Sequence, residues 1–152
     1  MNRNIELPGV TSFFWKQSRR KTFDKWPFNE SNKCNADCMA AAGFYVIGNN
    51  DEPDLVACFI CNKQLDGWEP NDDPWNEHVK HNPTCPFVKL NKQDEKAWTV
   101  GELYDLYKKY TIKEYMEEIN KDITILKDAV EQLKSELSVN KISQQKNKKS
   151  TD

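Results

Sequence analysis

Apolar positions along this chain follow two different rhythms, and the change falls near Asp94. Before it, the stretch SFFWKQSRRKTFDKW repeats apolar side chains at helical spacing until Pro27, which predicts a short helix ended by a breaker. Asp37 to Ala42 predicts a second short helix, stopped by Gly43. Phe44 to Ile47, Val56 to Phe59 and Leu65 to Trp68 are short β-prone runs that predict a small antiparallel sheet of three strands. After Asp94 the rhythm is heptad: Ile112, Met116, Ile119, Ile123, Leu126, Val130, Leu133 and Leu137 succeed one another at alternating steps of four and three. Thr99-Val100-Gly101-Glu102 has the form of a capping box that starts this helix, with Trp98 placed to pack on Leu103 as a staple. The fold class is therefore α+β, a small domain over 12–90 followed, after a linker at 91–98, by one long helix over 99–139. A tail over 140–152, rich in Lys, Gln, Asn and Ser, is expected to be disordered. At ~1.5 Å per residue the helix spans roughly 60 Å, too far to bury its seam on the small domain. Association with other helices is expected; Ile123 and Val130 at a positions with mixed Ile and Leu at d leave two and three strands both open.

Composition adds limits. A chain of 152 residues makes one domain with an extension. Its opening has no apolar run before a cleavage site, and no segment approaches the ~20 apolar residues of a spanning helix, so a soluble intracellular protein with no membrane partner is expected. In a reducing compartment five clustered cysteines are better metal ligands than disulfides. The net charge of −2 hides an asymmetry. Between Asp51 and Glu77 eight acids (Asp51, Glu52, Asp54, Asp66, Glu69, Asp72, Asp73, Glu77) accompany the single base Lys63. Such a run is either a solvated face or a surface that steers a cationic partner. The basic tail reads as solubilising rather than as a sequence-specific nucleic-acid contact. No nucleophile-and-base pair, phosphate loop or open metal position points to an enzyme.

Chemistry concentrates between Cys58 and Cys85. Cys58-x2-Cys61 is the knuckle spacing that turns two thiolates toward one ion. Asp73-Pro74 reads as an N-cap with proline at N1, opening a short helix through His81. His78 and His81 share a face of that helix, and Cys85 follows it. Two knuckle cysteines, one helical histidine and Cys85 complete a tetrahedral Cys3His zinc site, closed and therefore structural; spacing alone leaves either histidine as the ligand. Three thiolates on a dication leave a net charge of −1, which Lys63 and Lys80 are expected to offset. A domain with so few long apolar runs is expected to need the ion to fold. Cys34 and Cys38 make a C-x3-C pair with no further ligand nearby.

The order Trp26-Pro27, Met39-Ala40-Ala41-Ala42-Gly43-Phe44-Tyr45, Cys58-x2-Cys61, Gly67-Trp68-Glu69-Pro70, Asp73-Pro74 and His78-x6-Cys85 resembles the baculovirus inhibitor-of-apoptosis (BIR) repeat over roughly 12–90. A lone repeat followed by a long helix resembles the single-repeat, chromosomal-passenger type within that family. The resemblance selects His78 as the zinc ligand and implies a groove for a peptide with a free N-terminal alanine. In it Asp66 and Asp72 would hold the ammonium, Trp68 and Leu65 would wall the methyl pocket, and Lys63 with His81 would face the third side chain, all along a strand extended by β-augmentation. Trp68 would otherwise be core, Asp72 a helix cap and His81 plain surface.

The same resemblance implies a threonine-phosphorylated histone tail as ligand and borealin-like and inner-centromere-protein-like helices as partners of the seam. Through them an Aurora-type kinase would be held at centromeres and spindle midzone, in a protein shared between nucleus and cytoplasm. It also implies a homodimer contact near Leu7, Trp98, Val100 and Leu103. The alternative within the family is an inhibitor of apoptosis acting on caspases or on their alanine-starting antagonists. Vertebrate members of the type carry Thr-Pro after the cysteine matching Cys34, where this chain has Asn35-Ala36, which removes that site for a proline-directed kinase. No second, RING-like zinc cluster follows.

Overall fold

The computed structural model describes Gly9 and residues 12–148, with side chains through Ser138. It comprises two compact units, one to Lys113 and one from Glu114. In the first, α1 (Lys16–Arg20) runs into a 3-10 turn, and α2 (Ala36–Ala41) leads through Gly43 to strands β1 (Phe44–Val46), β2 (Val56–Cys58) and β3 (Gln64–Leu65). These pair as an antiparallel meander in the order β1-β2-β3, with Phe44 opposite Cys58 and Val56 opposite Leu65. Asn35 caps α2 by accepting from the amides of Asp37 and Cys38, both at 3.0 Å. Gly43 has φ +95° and a Cβ there would stand 3.0 Å from the Phe87 ring, so only glycine fits.

The third strand is two residues long rather than the expected run to Trp68, because Gly67 at φ +70° turns the chain away from the sheet. Two elements escaped the sequence: α4 (Pro86–Leu90) directly after Cys85, and a 3-10 turn at Glu95–Ala97 inside the expected linker. α3 (Pro74–His81) begins as expected, with the Asp73 carboxylate accepting from Trp75 and Asn76.

α5 (Val100–Lys148) opens on the capping box: the Glu102 carboxylate accepts from the Thr99 amide at 2.8 Å, and the Thr99 hydroxyl accepts from the Glu102 amide at 3.3 Å. Two features of it go beyond the heptad seam. Its first turns belong to the compact unit, which runs to Lys113, since Leu106 and Tyr110, one turn apart, bury against Phe14 and Phe59. Its backbone also stays helical beyond 139 to Lys148, through a stretch with neither Gly nor Pro. Among the described residues no helix is long and apolar enough to cross a membrane.

The core is aromatic. Phe14, Phe44, Phe59 and Phe87 are fully buried; Phe14, Phe59 and Phe87 meet Trp75, Trp98 and Tyr110 edge-on or tilted, and Phe44 meets Trp68. Into this core the sequence inserts one cation. Arg19 is completely buried under the Phe59 ring, 4.2 Å from its centroid, and donates to the carbonyls of Phe13, Phe14 and Ala40 at 2.6–3.1 Å. Its remaining nitrogen lies 3.5 Å from Glu95, an ion pair too poorly aligned for a hydrogen bond. Burial pulls the guanidinium down to about 10, with Glu95 and the neighbouring Cys58 sulfur pulling the other way. Arg19→Met removes the cation and leaves three carbonyls unanswered, so it is expected to lower stability by about 3–5 kcal/mol in denaturant titration. Glu95→Gln, at a partly solvated partner, is expected to cost far less.

Candidate metal centre and peptide groove

Cys58 ends β2, Cys61 closes the knuckle, His78 lies on α3, and Cys85 caps α4. Four separate pieces of backbone thus deliver one donor each, and the four donor atoms all lie within 4.8 Å of one another. A tetrahedral Zn–S site at ~2.3 Å needs sulfurs about 3.7 Å apart, and Cys61 Sγ stands 3.6 Å from His78 Nε2. The knuckle is formed by Asn62 at φ +59°, whose amide donates to the Cys58 carbonyl at 3.0 Å. The amides of Ile60 and Cys61 point at Cys58 Sγ from 3.4 and 3.5 Å, a cradle of N–H groups suited to a thiolate.

Spacing left two histidines; geometry separates them. His78 is fully buried, and its Nδ1–H donates to the Ala42 carbonyl at 2.8 Å, which leaves the Nε2 lone pair facing the sulfurs. His81 is exposed and its Nε2 lies 3.3 Å from the Glu77 carboxylate. The electrostatics of the cluster fit a cation. Burial pushes the Cys58 thiol well up, whereas hydrogen bonds from Cys58 and Cys85 hold Cys61 far below the ordinary thiol range. Burial works to lower His78, but hydrogen bonds to Cys61 and Cys85 outweigh it and raise the imidazole to about 9. The donor set is positioned to bind one zinc ion.

Lys80 reaches Glu77 at 3.2 Å on the surface, and a further, buried cation, Arg19, is drawn upward by the charge of the Cys58 sulfur. In the sequence Arg19 stands four residues from Trp15 and four from Phe23, a charge on that apolar face. Cys34 is buried with its Sγ 2.9 Å from the Glu69 carbonyl, Cys38 is exposed, and neither joins a donor group among the described residues.

An open pocket of about 230 Å³ lies between β3 and α3. Leu65, Asp66, Trp68, Asp72 and His81, five of the six expected peptide contacts, line it together. Lys63 does not; it follows the knuckle, and its carbonyl accepts from the Cys58 amide. Lys80 adds a base to the lining, and Glu69 and Glu77, named in the sequence only as members of the acidic run, add two carboxylates. The helical spacing of Glu77 from His81, one turn apart, could have placed it there. Trp68 is both wall and core: it is buried, meets Phe44 edge-on at 5.6 Å, and its indole N–H has no partner among the described residues. Asp72 also has a structural role, accepting from the Glu69 amide at 2.8 Å.

Of the expected dimer contacts, Leu7 lies outside the described residues. Trp98 and Leu103 are half-buried against the chain's own core, Trp98 donating to the Lys92 carbonyl at 2.8 Å, so Val100, 84% exposed, is the free apolar side chain of the set. The heptad seam lies open: Ile112, Met116, Ile119, Ile123, Leu126, Val130, Leu133 and Leu137 are 41–64% exposed.

A three-stranded sheet with short helices around a Cys3His centre defines a BIR domain, and the family model described as "BIR: Inhibitor of Apoptosis domain" matches residues 19–89. Baculoviral IAP repeat-containing protein 5 of Rattus norvegicus is 42% identical over 114 residues, 75% of this chain and 80% of the rat protein. The Mus musculus protein of that name is 45% identical over 100 residues, 66% of this chain and 71% of the other. A solved structure titled "Crystal structure of DIAP1 BIR1 bound to a Grim peptide" is 29% identical, with a TM-score of 0.44 over 52% of this chain and 75% of that one. The chain belongs to the family of baculoviral IAP repeat-containing proteins, and its similarity is to the survivin type within it.

Proposed function

We propose that this protein is a non-catalytic reader and scaffold of chromosomal passenger type. The observation that carries the reading is the acidic pocket between β3 and α3, where Asp66, Asp72 and Glu77 stand with Leu65 and Trp68 around one small volume. An α-ammonium offers three donors to such carboxylates, and an alanine methyl suits a small wall of leucine and indole. β3 is an edge strand of the meander, so an extended peptide can pair with it as a fourth strand. His81 and Lys80 lie at the same rim with Glu77 between them. A phosphothreonine at the third place of the peptide would compete with Glu77 for both bases. This supports a histone tail beginning with alanine and phosphorylated at threonine as the ligand. The open seam of α5 supports assembly with borealin-like and inner-centromere-protein-like helices, which would hold an Aurora-type kinase at centromeres during mitosis.

The domain's family favours a second reading, capture of alanine-starting apoptotic antagonists or caspases in the same groove. Calorimetric titration of the zinc-loaded protein with three peptides separates the two: the phosphorylated tail, the unmodified tail, and a peptide beginning Ala-Val-Pro. Tightest binding is expected for the phosphorylated tail, weakened by about tenfold or more when Lys80 and His81 are replaced by alanine. Lys63→Ala, outside the pocket lining, is expected to matter less. Preference for Ala-Val-Pro would instead make the protein an inhibitor of apoptosis.

A further inference from the structure

Asp54 lines neither the groove nor the metal centre, yet it connects β2 to the groove's far wall. The β2–β3 register pairs Val56 with Leu65 and Ala57 with Gln64. Carried outward by two residues, that register sets Asp54 opposite Gly67, where the backbone ladder has already ended. There a side chain takes over: Asp54 Oδ2 accepts from the amide of Gly67 at 2.8 Å and from that of Trp68 at 3.1 Å. One carboxylate oxygen thus answers two consecutive amides just past the strand. Core packing against Phe44 anchors the indole end of the turn at Trp68, and what remains to be fixed is the backbone at Gly67. Gly67 stands at φ +70°, and a Cβ built on it would meet nothing within 4 Å, so no side chain packs over Gly67 itself. Its two neighbours, Asp66 and Trp68, both line the pocket.

We propose that Asp54 is a positioning residue for peptide capture, holding the turn Asp66 to Trp68 in the shape that presents the carboxylate of Asp66 and the indole of Trp68 to an N-terminal alanine. The inference rests on the reading of the groove given above. A positioning role requires the acceptor oxygen and not the charge. Asp54→Asn keeps an oxygen that can accept from the two amides, whereas Asp54→Ala removes it.

The test uses the full chain loaded with zinc, as parent, Asp54→Asn and Asp54→Ala. Each is titrated calorimetrically with a synthetic peptide that begins with free alanine, and each is followed by amide hydrogen exchange. Asp54→Ala is expected to bind about tenfold more weakly and Asp54→Asn within about threefold of the parent. All three are expected to keep one equivalent of zinc, with faster exchange at the Gly67 and Trp68 amides confined to Asp54→Ala. Equal weakening by both variants would make Asp54 a source of field and overturn the positioning role, as would parental affinity in Asp54→Ala. Should the parent bind no such peptide, the groove reading fails by itself. The exchange data then decide alone: unchanged rates at Gly67 and Trp68 in Asp54→Ala overturn the lock, and faster rates sustain it.

Discussion

Chelating zinc is expected to abolish the cooperative unfolding transition of the BIR domain, not merely to shift it. Four donors come from the end of β2, the knuckle, the middle of α3 and the start of α4. The ion therefore cross-links segments that share few backbone hydrogen bonds: β3 is two residues long and α4 five. Structural zinc sites contribute roughly 10–16 kcal/mol of apparent binding free energy, as much as the ~5–15 kcal/mol net stability of a whole domain. The aromatic core cannot replace it, because His78 is itself part of that core, its ring 4.9 Å from Phe44. Without the ion, three thiols and an imidazole are buried against one another. His78→Ala or Cys85→Ala is expected to give a chain with no near-ultraviolet circular dichroism and no bound zinc. His81→Ala, Cys34→Ala and Cys38→Ala should each retain one equivalent. Acid acts in the same direction as chelation, since every donor must lose its proton to bind. A metal-free domain that still melts cooperatively would sink the structural role of the ion.

How far such reasoning could be taken from the sequence depended on how local each signal was. The knuckle, the Asp73-Pro74 start of α3 and the Thr99 to Glu102 capping box are written in a few adjacent residues, and the structure has all three as expected. The choice of His78 over His81 was not local. It is made by the Ala42 carbonyl, thirty-six residues away, which fixes the tautomer of one ring and not the other. The resemblance to a family supplied that answer before the geometry gave its reason.

Long-range compensation was the least legible part. Arg19 reads as one base in the run Arg19-Arg20-Lys21, and nothing near it in the chain announces that Glu95 and the Cys58 sulfur wait for it in the core. Lys63 was expected in the groove from the family resemblance; it directly precedes β3, and Lys80 of α3 is a second base, one that lines the pocket. Similarly, a composition of Lys, Glu, Leu and Ile after Asp94 implied one helix with one purpose. Its first turns instead bury Leu106 and Tyr110 in the domain, and the exposed seam starts only at Ile112.

Placing aspartate at Ile119, Ile123 and Leu126 together is expected to end association with helical partners and leave the zinc domain untouched. These three side chains are 41–64% exposed in the described chain, and Ile123 and Leu126 line a shallow groove with Val130. Fully burying an exposed aliphatic side chain of this size is worth about 1.5–3 kcal/mol, and about half of that remains to be gained here, so the three contribute roughly 2–5 kcal/mol to an interface, a factor of about 10²–10³ in affinity. Three carboxylates facing an apolar partner add a desolvation cost. Under the proposed scaffold function, the expected readout is loss of co-elution with borealin-like and inner-centromere-protein-like helices and loss of centromere localisation. Peptide affinity and zinc content should stay at parental values, because the groove and the metal centre lie in the unit that ends at Lys113. Lys121→Asp with Ser135→Asp changes charge on the opposite face of the same helix and should assemble normally. A triple variant that still reaches centromeres would leave the acidic groove as the protein's sole address and remove the scaffold from its function.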